Sequence, residues 1–77
     1  MKFILVGVNV KKNYEDLVSI TLPALTGEIE ILENHAETFA RLVKGGAILK
    51  SNKSTTQEEI PYNCLCYIKD NLVTVIT

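Results

Sequence analysis

The sequence predicts an all-β fold, a small two-sheet β-sandwich of short, mostly antiparallel strands. Three observations predict it. Apolar residues alternate with polar ones in several windows, the period of a half-buried strand. Glycine, proline and Asp-Asn turn signals separate those windows at short intervals. Seven or more such segments in a chain of 77 residues favour a sandwich or barrel over a helical bundle.

Taken in order, Phe3 to Val8 is a continuous apolar run rich in β-branched residues, as in a strand covered on both faces. Leu17 to Leu22 alternates, with Val18, Ile20 and Leu22 on one face and Ser19 and Thr21 on the other. Pro23 lacks a backbone donor and is expected to end that ladder. Gly27 opens a short strand in which Ile29 and Ile31 face inward and Glu28 and Glu30 outward. Glu33 to Glu37 reads as a connector, and Thr38 to Val43 resumes strand character with Phe39 assigned to the core. Lys44-Gly45-Gly46 signals a turn, so Ala47 to Lys50 is expected to return as a hairpin partner. A rival reading makes Glu28 to Val43 a helix, since Ile31, Leu32, Ala36, Phe39, Ala40 and Val43 recur at helical spacing.

Ser51 to Glu59 is polar throughout, either a long loop or a hairpin at a solvated edge. Pro61 suits the entrance to the next strand. From there Tyr62, Cys64, Cys66 and Ile68 alternate with Asn63, Leu65, Tyr67 and Lys69. Asp70-Asn71 is a hairpin turn, and Leu72 to Ile76 closes the chain as a strand. No repeat or linker divides the sequence, so residues 1–77 are expected to form one domain.

Composition narrows the function. Hydrophobic residues make up 47% of the chain, enough for a folded core. The formal net charge is −1 and the eight basic residues are scattered, so a nucleic-acid partner is not expected. No apolar run approaches the roughly 20 residues needed to cross a bilayer as a helix, so direct membrane insertion is not expected. Cys64 and Cys66 are two apart on one strand, too far for a relaxed bridge, and read as reduced thiols in a cytosol-like compartment.

Candidate chemistry is sparse. His35 is the sole histidine, and nothing in the sequence supplies an activated nucleophile or oxyanion site beside it. A zinc site would need His35 and a carboxylate in addition to the two cysteines, so core thiols are the simpler reading. Gly45-Gly46 lacks the Lys-Ser/Thr ending of a phosphate loop. Glu28, Glu30, Glu33 and Glu37 make the middle of the chain locally acidic, a surface for steering a basic partner or for solubility. No catalytic residue, cofactor or metal is assigned, and a protein-docking role is expected.

The segment Val18-Ser19-Ile20-Thr21-Leu22-Pro23, followed by Gly27-Glu28-Ile29-Glu30-Ile31-Leu32 and His35-Ala36, resembles the N-terminal domain of the F-type ATP synthase epsilon subunit. That family runs as a strand ending in Leu-Pro, then Gly-Glu-Leu/Ile-Gly-Ile-Leu-Pro-x-His-Ala-Pro. Leu42 to Ile48 is similar to its Leu-Lys-Pro-Gly-x-Ile stretch, and Leu65 to Ile76 to its closing hairpin. The resemblance implies a β-sandwich in the rotor's central stalk, bound to the gamma subunit and resting on the polar loops of the c-ring. It implies a coupling role without catalysis, peripheral on the cytoplasmic side of a bacterial inner membrane. Gly27 and Glu28 inherit a place toward the c-ring, with Glu30 beside them, and His35 and Ala36 a place near gamma. Glu30 stands where the family has a second glycine, and Glu33 and Glu37 where prolines flank His-Ala. The family's C-terminal helical hairpin, an inhibitory arm, has no counterpart in this sequence. The alternative is a stand-alone β-sandwich adaptor for a different protein. A metal-dependent enzyme using His35 and Cys64 ranks third.

Overall fold

The computed structural model describes residues 1–77 as nine strands. They are β1 (Lys2–Val6), β2 (Lys11–Tyr14), β3 (Leu17–Ala24), β4 (Gly27–Leu32), β5 (Thr38–Leu42), β6 (Gly45–Ser51), β7 (Thr55–Ile60), β8 (Cys64–Lys69) and β9 (Leu72–Ile76). The hydrogen-bonded path runs β2-β1-β9-β8-β5-β3-β6-β7, with β4 added to the other side of β3. Between β5 and β3 the ladder narrows to one register pair, Ala24 with Leu42. The path curls over at that step into a half-barrel of two layers, β2-β1-β9-β8-β5 and β4-β3-β6-β7. Every pairing is antiparallel except β1 with β9. The β-sandwich class expected from the sequence is what the chain adopts.

Alternation fills the space between the layers. Phe3 and Leu5, Cys66 and Ile68, and Val73 and Val75 point inward from the first layer, each under 5% exposed. Ile20, Leu22, Ile31 and Leu49 meet them from the second, each at 1% or less. Burying such side chains contributes roughly 1.5–3 kcal/mol apiece before conformational entropy is subtracted.

The turns are set by backbone chemistry. Asp70 and Asn71 both take positive φ, 53° and 61°, as the tight turn between β8 and β9 requires. The β3–β4 turn differs, since the positive φ falls after Leu25 and Thr26, at Gly27, with φ 122°. A Cβ on Gly27 would meet nothing within 4 Å, so only the backbone demands glycine there. Gly27→Ala is expected to cost about 1–2 kcal/mol in a denaturant melt. An unchanged midpoint would show that the turn relaxes into another conformation.

Several sequence expectations are corrected. Lys44-Gly45-Gly46 does not make a hairpin: β5 pairs with β8 and β3, whereas β6 pairs with β3 and β7. The chain instead crosses from one layer to the other at Val43-Lys44, and the glycines open β6. A Cβ on Gly45 would lie 3.1 Å from the Pro23 side chain, so glycine permits that close passage. Pro23 does not end its strand, because its missing donor falls between the ladders to β6 and β5, while its carbonyl accepts from Val43 N–H at 2.9 Å. An irregularity between Leu17 and Ser19 breaks the alternation, leaving Val18 38% exposed and burying Ser19. Lys11–Tyr14 forms a strand that its polar composition hid. The polar stretch after Ser51 is the solvated-edge hairpin, through β7. The helix considered for 28–43 is two strands joined by a connector.

β2 and β7 are the two ends of the strand path. They meet through Glu58, which is 8% exposed. Its carboxylate accepts from Lys12 Nζ at 2.8 Å and from the Tyr14 hydroxyl. This clasp closes the layers along one side. The opposite side, between β4 and β5, is open.

Candidate functional site

The two outer faces of the sandwich differ in chemistry. On the β2-β1-β9-β8-β5 layer, cross-strand registers line up Arg41, Leu65, Ile76, Val6 and Lys11 in one row. Leu65 is 53% exposed and Ile76 57%. The next row holds Phe39, Tyr67, Thr74, Ile4 and Asn13. Phe39 is 72% exposed and its ring stacks on Tyr67 with centroids 4.4 Å apart. Tyr67 in turn donates its hydroxyl to the Glu37 carboxylate. The result is an apolar strip with a cation at each end, spanning four strand spacings or about 19 Å. On the other layer the matching row is Glu30, Thr21, Ile48 and Gln57, and Glu28 and Glu59 are exposed nearby. The first face therefore carries a contiguous apolar strip, whereas the second is studded with exposed carboxylates beside Val18 and Leu32.

Beside the apolar strip, the open side of the sandwich forms a groove of about 430 Å³. The β3–β4 hairpin gives one wall through Leu25 and Ile29, β5 gives the other through Ala40 and Arg41, and His35 and Ile68 complete it. Leu25 at the hairpin tip is 62% exposed.

The residues singled out from sequence land in two places. Gly27 ends the hairpin turn, and Glu28 and Glu30 project from the solvated face of β4. His35 and Ala36 lie in the exposed connector between β4 and β5, where His35 Nδ1 sits 2.8 Å from the Ala36 carbonyl oxygen. That connector is tied to the β8–β9 turn by Asn34 N–H donating to Asn71 Oδ1 at 2.6 Å. The structure thus brings His35 into one groove with the hairpin tip, while Glu28 and Glu30 face elsewhere. The acidic stretch is divided too, since Glu37 pairs with Tyr67 on the apolar side.

Sequence reasoning missed Phe39, Leu65, Ile76 and Arg41 as surface residues. The assignment of Phe39 to the core is wrong because β5 turns Ala40 and Leu42 inward and Phe39 and Arg41 outward. The available signal was Arg41, which shares the parity of Phe39 and cannot be buried unpaired.

The groups weighed for chemistry are dispersed. No group of three or more His, Cys, Asp or Glu side chains is placed to hold a metal ion. Burial pushes the Cys66 thiol up to about 12, and raises Cys64 as well. Cys66 is therefore expected to resist iodoacetamide at neutral pH and to react only on unfolding, as intact-mass spectrometry would show. Rapid double labelling of the folded chain would contradict its burial.

The architecture is that of a small β-sandwich whose two outer faces differ, one bearing an apolar strip and the other exposed carboxylates. A chain of the Euglena gracilis mitochondrial ATP synthase, solved as OSCP/F1/c-ring in rotational state 1, is similar in fold, with a TM-score of 0.80 at 18% identity. The match covers 97% of this chain and 48% of that one, so this chain spans about half the length of its structural relative. No protein-family model matches the sequence, and no curated protein does.

Proposed function

We propose that this chain is an epsilon-type β-sandwich of the central stalk of an F-type ATP synthase, coupling ion-driven rotation to ATP synthesis without catalysing a reaction itself. One observation carries the reading. The fold match to an ATP synthase chain extends over 97% of the sequence, and the ordered likeness to the epsilon pattern runs through the same residues. In this reading the hairpin at Gly27 and Glu28, with Glu30 beside it, contacts the polar loops of the c-ring. The His35-Ala36 connector and the apolar strip at Leu65 and Ile76 pack on the gamma subunit. Such a subunit acts as a rigid coupling. Its close-packed layers give two docking areas a fixed separation, so motion of one partner is passed to the other. No helix here is long and apolar enough to cross a membrane, and the proposed place is peripheral, on the cytoplasmic side of a bacterial inner membrane.

The test is co-purification with the gamma subunit of the same organism, followed by size-exclusion chromatography at moderate salt. A one-to-one complex is expected, and Ile76→Glu should weaken it at least tenfold, about 1.4 kcal/mol. Folded gamma that never co-elutes would overturn the reading. The adaptor alternative would then lead, favoured by Glu30, Glu33 and Glu37, which depart from the epsilon pattern.

A further inference from the structure

Sheet edges present unpaired backbone groups, and proteins blunt them with charge. The edges of this fold can be compared directly. β2 carries Lys11 and Lys12, β4 carries Glu28 and Glu30, and β7 carries Glu58 and Glu59. β5 has β8 on one side, and on the other only the single Ala24–Leu42 register pair with β3. Its stretch Thr38-Phe39-Ala40 is an edge without a charged residue.

Hydrogen bonding shows which groups face outward. Leu25 N–H donates to the Arg41 carbonyl at 2.9 Å, so the Arg41 backbone points away from β8. Ladder groups alternate, so the N–H and C=O of Phe39 also point away from β8 and have no strand partner. The close Phe39–Tyr67 ring contact agrees, because side chains approach most closely at non-hydrogen-bonded pairs. The edge opens onto the groove walled by Leu25, Ile29 and Ala40. At its end Arg41 is exposed and takes part in neither of the two ion pairs, Lys2–Glu15 and Lys12–Glu58.

We propose that the open edge of β5 binds an extended segment of another protein by strand addition, with an apolar side chain in the groove and a carboxylate against Arg41. Main-chain bonds to Phe39 supply affinity, and the groove and Arg41 supply register and specificity. The proposed edge adjoins the surfaces assigned above to gamma and the ring, sharing His35 and the β3–β4 hairpin with them. It rests on the unpaired Phe39 backbone and is scored by a different experiment, on the isolated chain, so it can fail or hold independently of the stalk reading.

The probe is a capped six-residue peptide of alternating valine and threonine ending in aspartate. It is titrated into the folded chain while amide resonances and exchange are followed. Slowing of Phe39 amide exchange tenfold or more at saturation is expected, with little change on the β7 edge. The same peptide N-methylated at alternate amides should fail to bind. Replacing its aspartate by asparagine should weaken binding several-fold, and Arg41→Glu should reverse the preference toward a lysine-ended peptide. Equal binding of the N-methylated peptide, indifference to charge, or an unmoved Phe39 amide at millimolar peptide would each overturn the proposal. Concentration-dependent protection of Phe39 without peptide would do so as well, by assigning the edge to a second copy of this chain.

Discussion

The chain's two phenylalanines are expected to respond oppositely to truncation. Phe3→Ala should cost about 3–5 kcal/mol, and Phe39→Ala under about 1 kcal/mol. Phe3 is 0% exposed on β1, between Tyr14 of β2 and Val73 of β9. Its ring centroid lies 6.2 Å from that of Tyr14. Removing it leaves a cavity where β1 meets both neighbours, and close-packed layers collapse into such a void only partly. Ile31, 1% exposed on β4, belongs to the same class, with an expected loss of about 2–5 kcal/mol on truncation to alanine. Phe39 loses a solvated stack on Tyr67 and opens no cavity. Paired urea melts check the contrast. Small domains typically hold about 5–15 kcal/mol, so Phe3→Ala alone should remove a large share of the total and, at the low end of that range, leave a measurable unfolded fraction. A Phe39→Ala loss matching that of Phe3→Ala would mean that β5 packs with the opposite parity.

That contrast also marks where sequence stopped being readable. The Asp70-Asn71 turn marks β8 and β9, and period-two alternation is cleanest on β4, where Ile29 and Ile31 point inward and Glu28 and Glu30 outward. It fails on β5, where both parities hold apolar residues: Phe39 outside, Ala40 and Leu42 inside. A face made to be covered looks like a core to a pattern that counts only hydrophobicity. The same ambiguity hides Leu65 and Ile76, which are apolar residues on the outward parity of β8 and β9. β2 was lost for the opposite reason. Lys-Lys-Asn-Tyr has almost nothing to bury, and its position comes from the ladder to β1 and the reach of Lys12 and Tyr14 to a distant carboxylate. Gly45-Gly46 looked like a hairpin because glycine reports that the backbone passes something closely and not which strand follows. In the candidate site, Gly27 was legible through its turn, whereas the groove depends on β4 and β5 facing each other across an open seam that no local pattern encodes.

Glu58 is the residue whose loss should reach furthest beyond its own strand. It lies in the polar stretch that the sequence leaves as a loop or a solvated-edge hairpin, yet it is buried and bridges residues 44 and 46 positions away. Burial alone would raise its pKa. The Lys12 and Tyr14 hydrogen bonds outweigh that, and the carboxyl is held below the usual carboxylate range. The Glu58 carboxylate in turn raises the Tyr14 phenol. The sign of the pH dependence follows for each group. A depressed carboxyl contributes stability above its unfolded value, near pH 4.3, and loses it as pH falls through the lower folded value. A raised phenol contributes below its unfolded value, near pH 10, and loses it as pH rises through the higher folded one. The clasp is thus fully effective between those limits and weakens at both extremes. Glu58→Ala is expected to cost about 1–3 kcal/mol near neutral pH, because it strands the partly buried Tyr14 hydroxyl. Glu58→Gln keeps the shape and one acceptor, so it should lose less and lack the acid-side component. Urea midpoints of wild type and Glu58→Gln should therefore converge as pH falls below about 4.3. Hydrogen exchange locates the effect. Since β2 has only β1 as a strand neighbour, its amides should open first in Glu58→Ala, ahead of those of β9 at the centre of the layer. A uniform rise in exchange across both strands would instead mean that the clasp acts only through global stability and that β2 is held by its ladder alone.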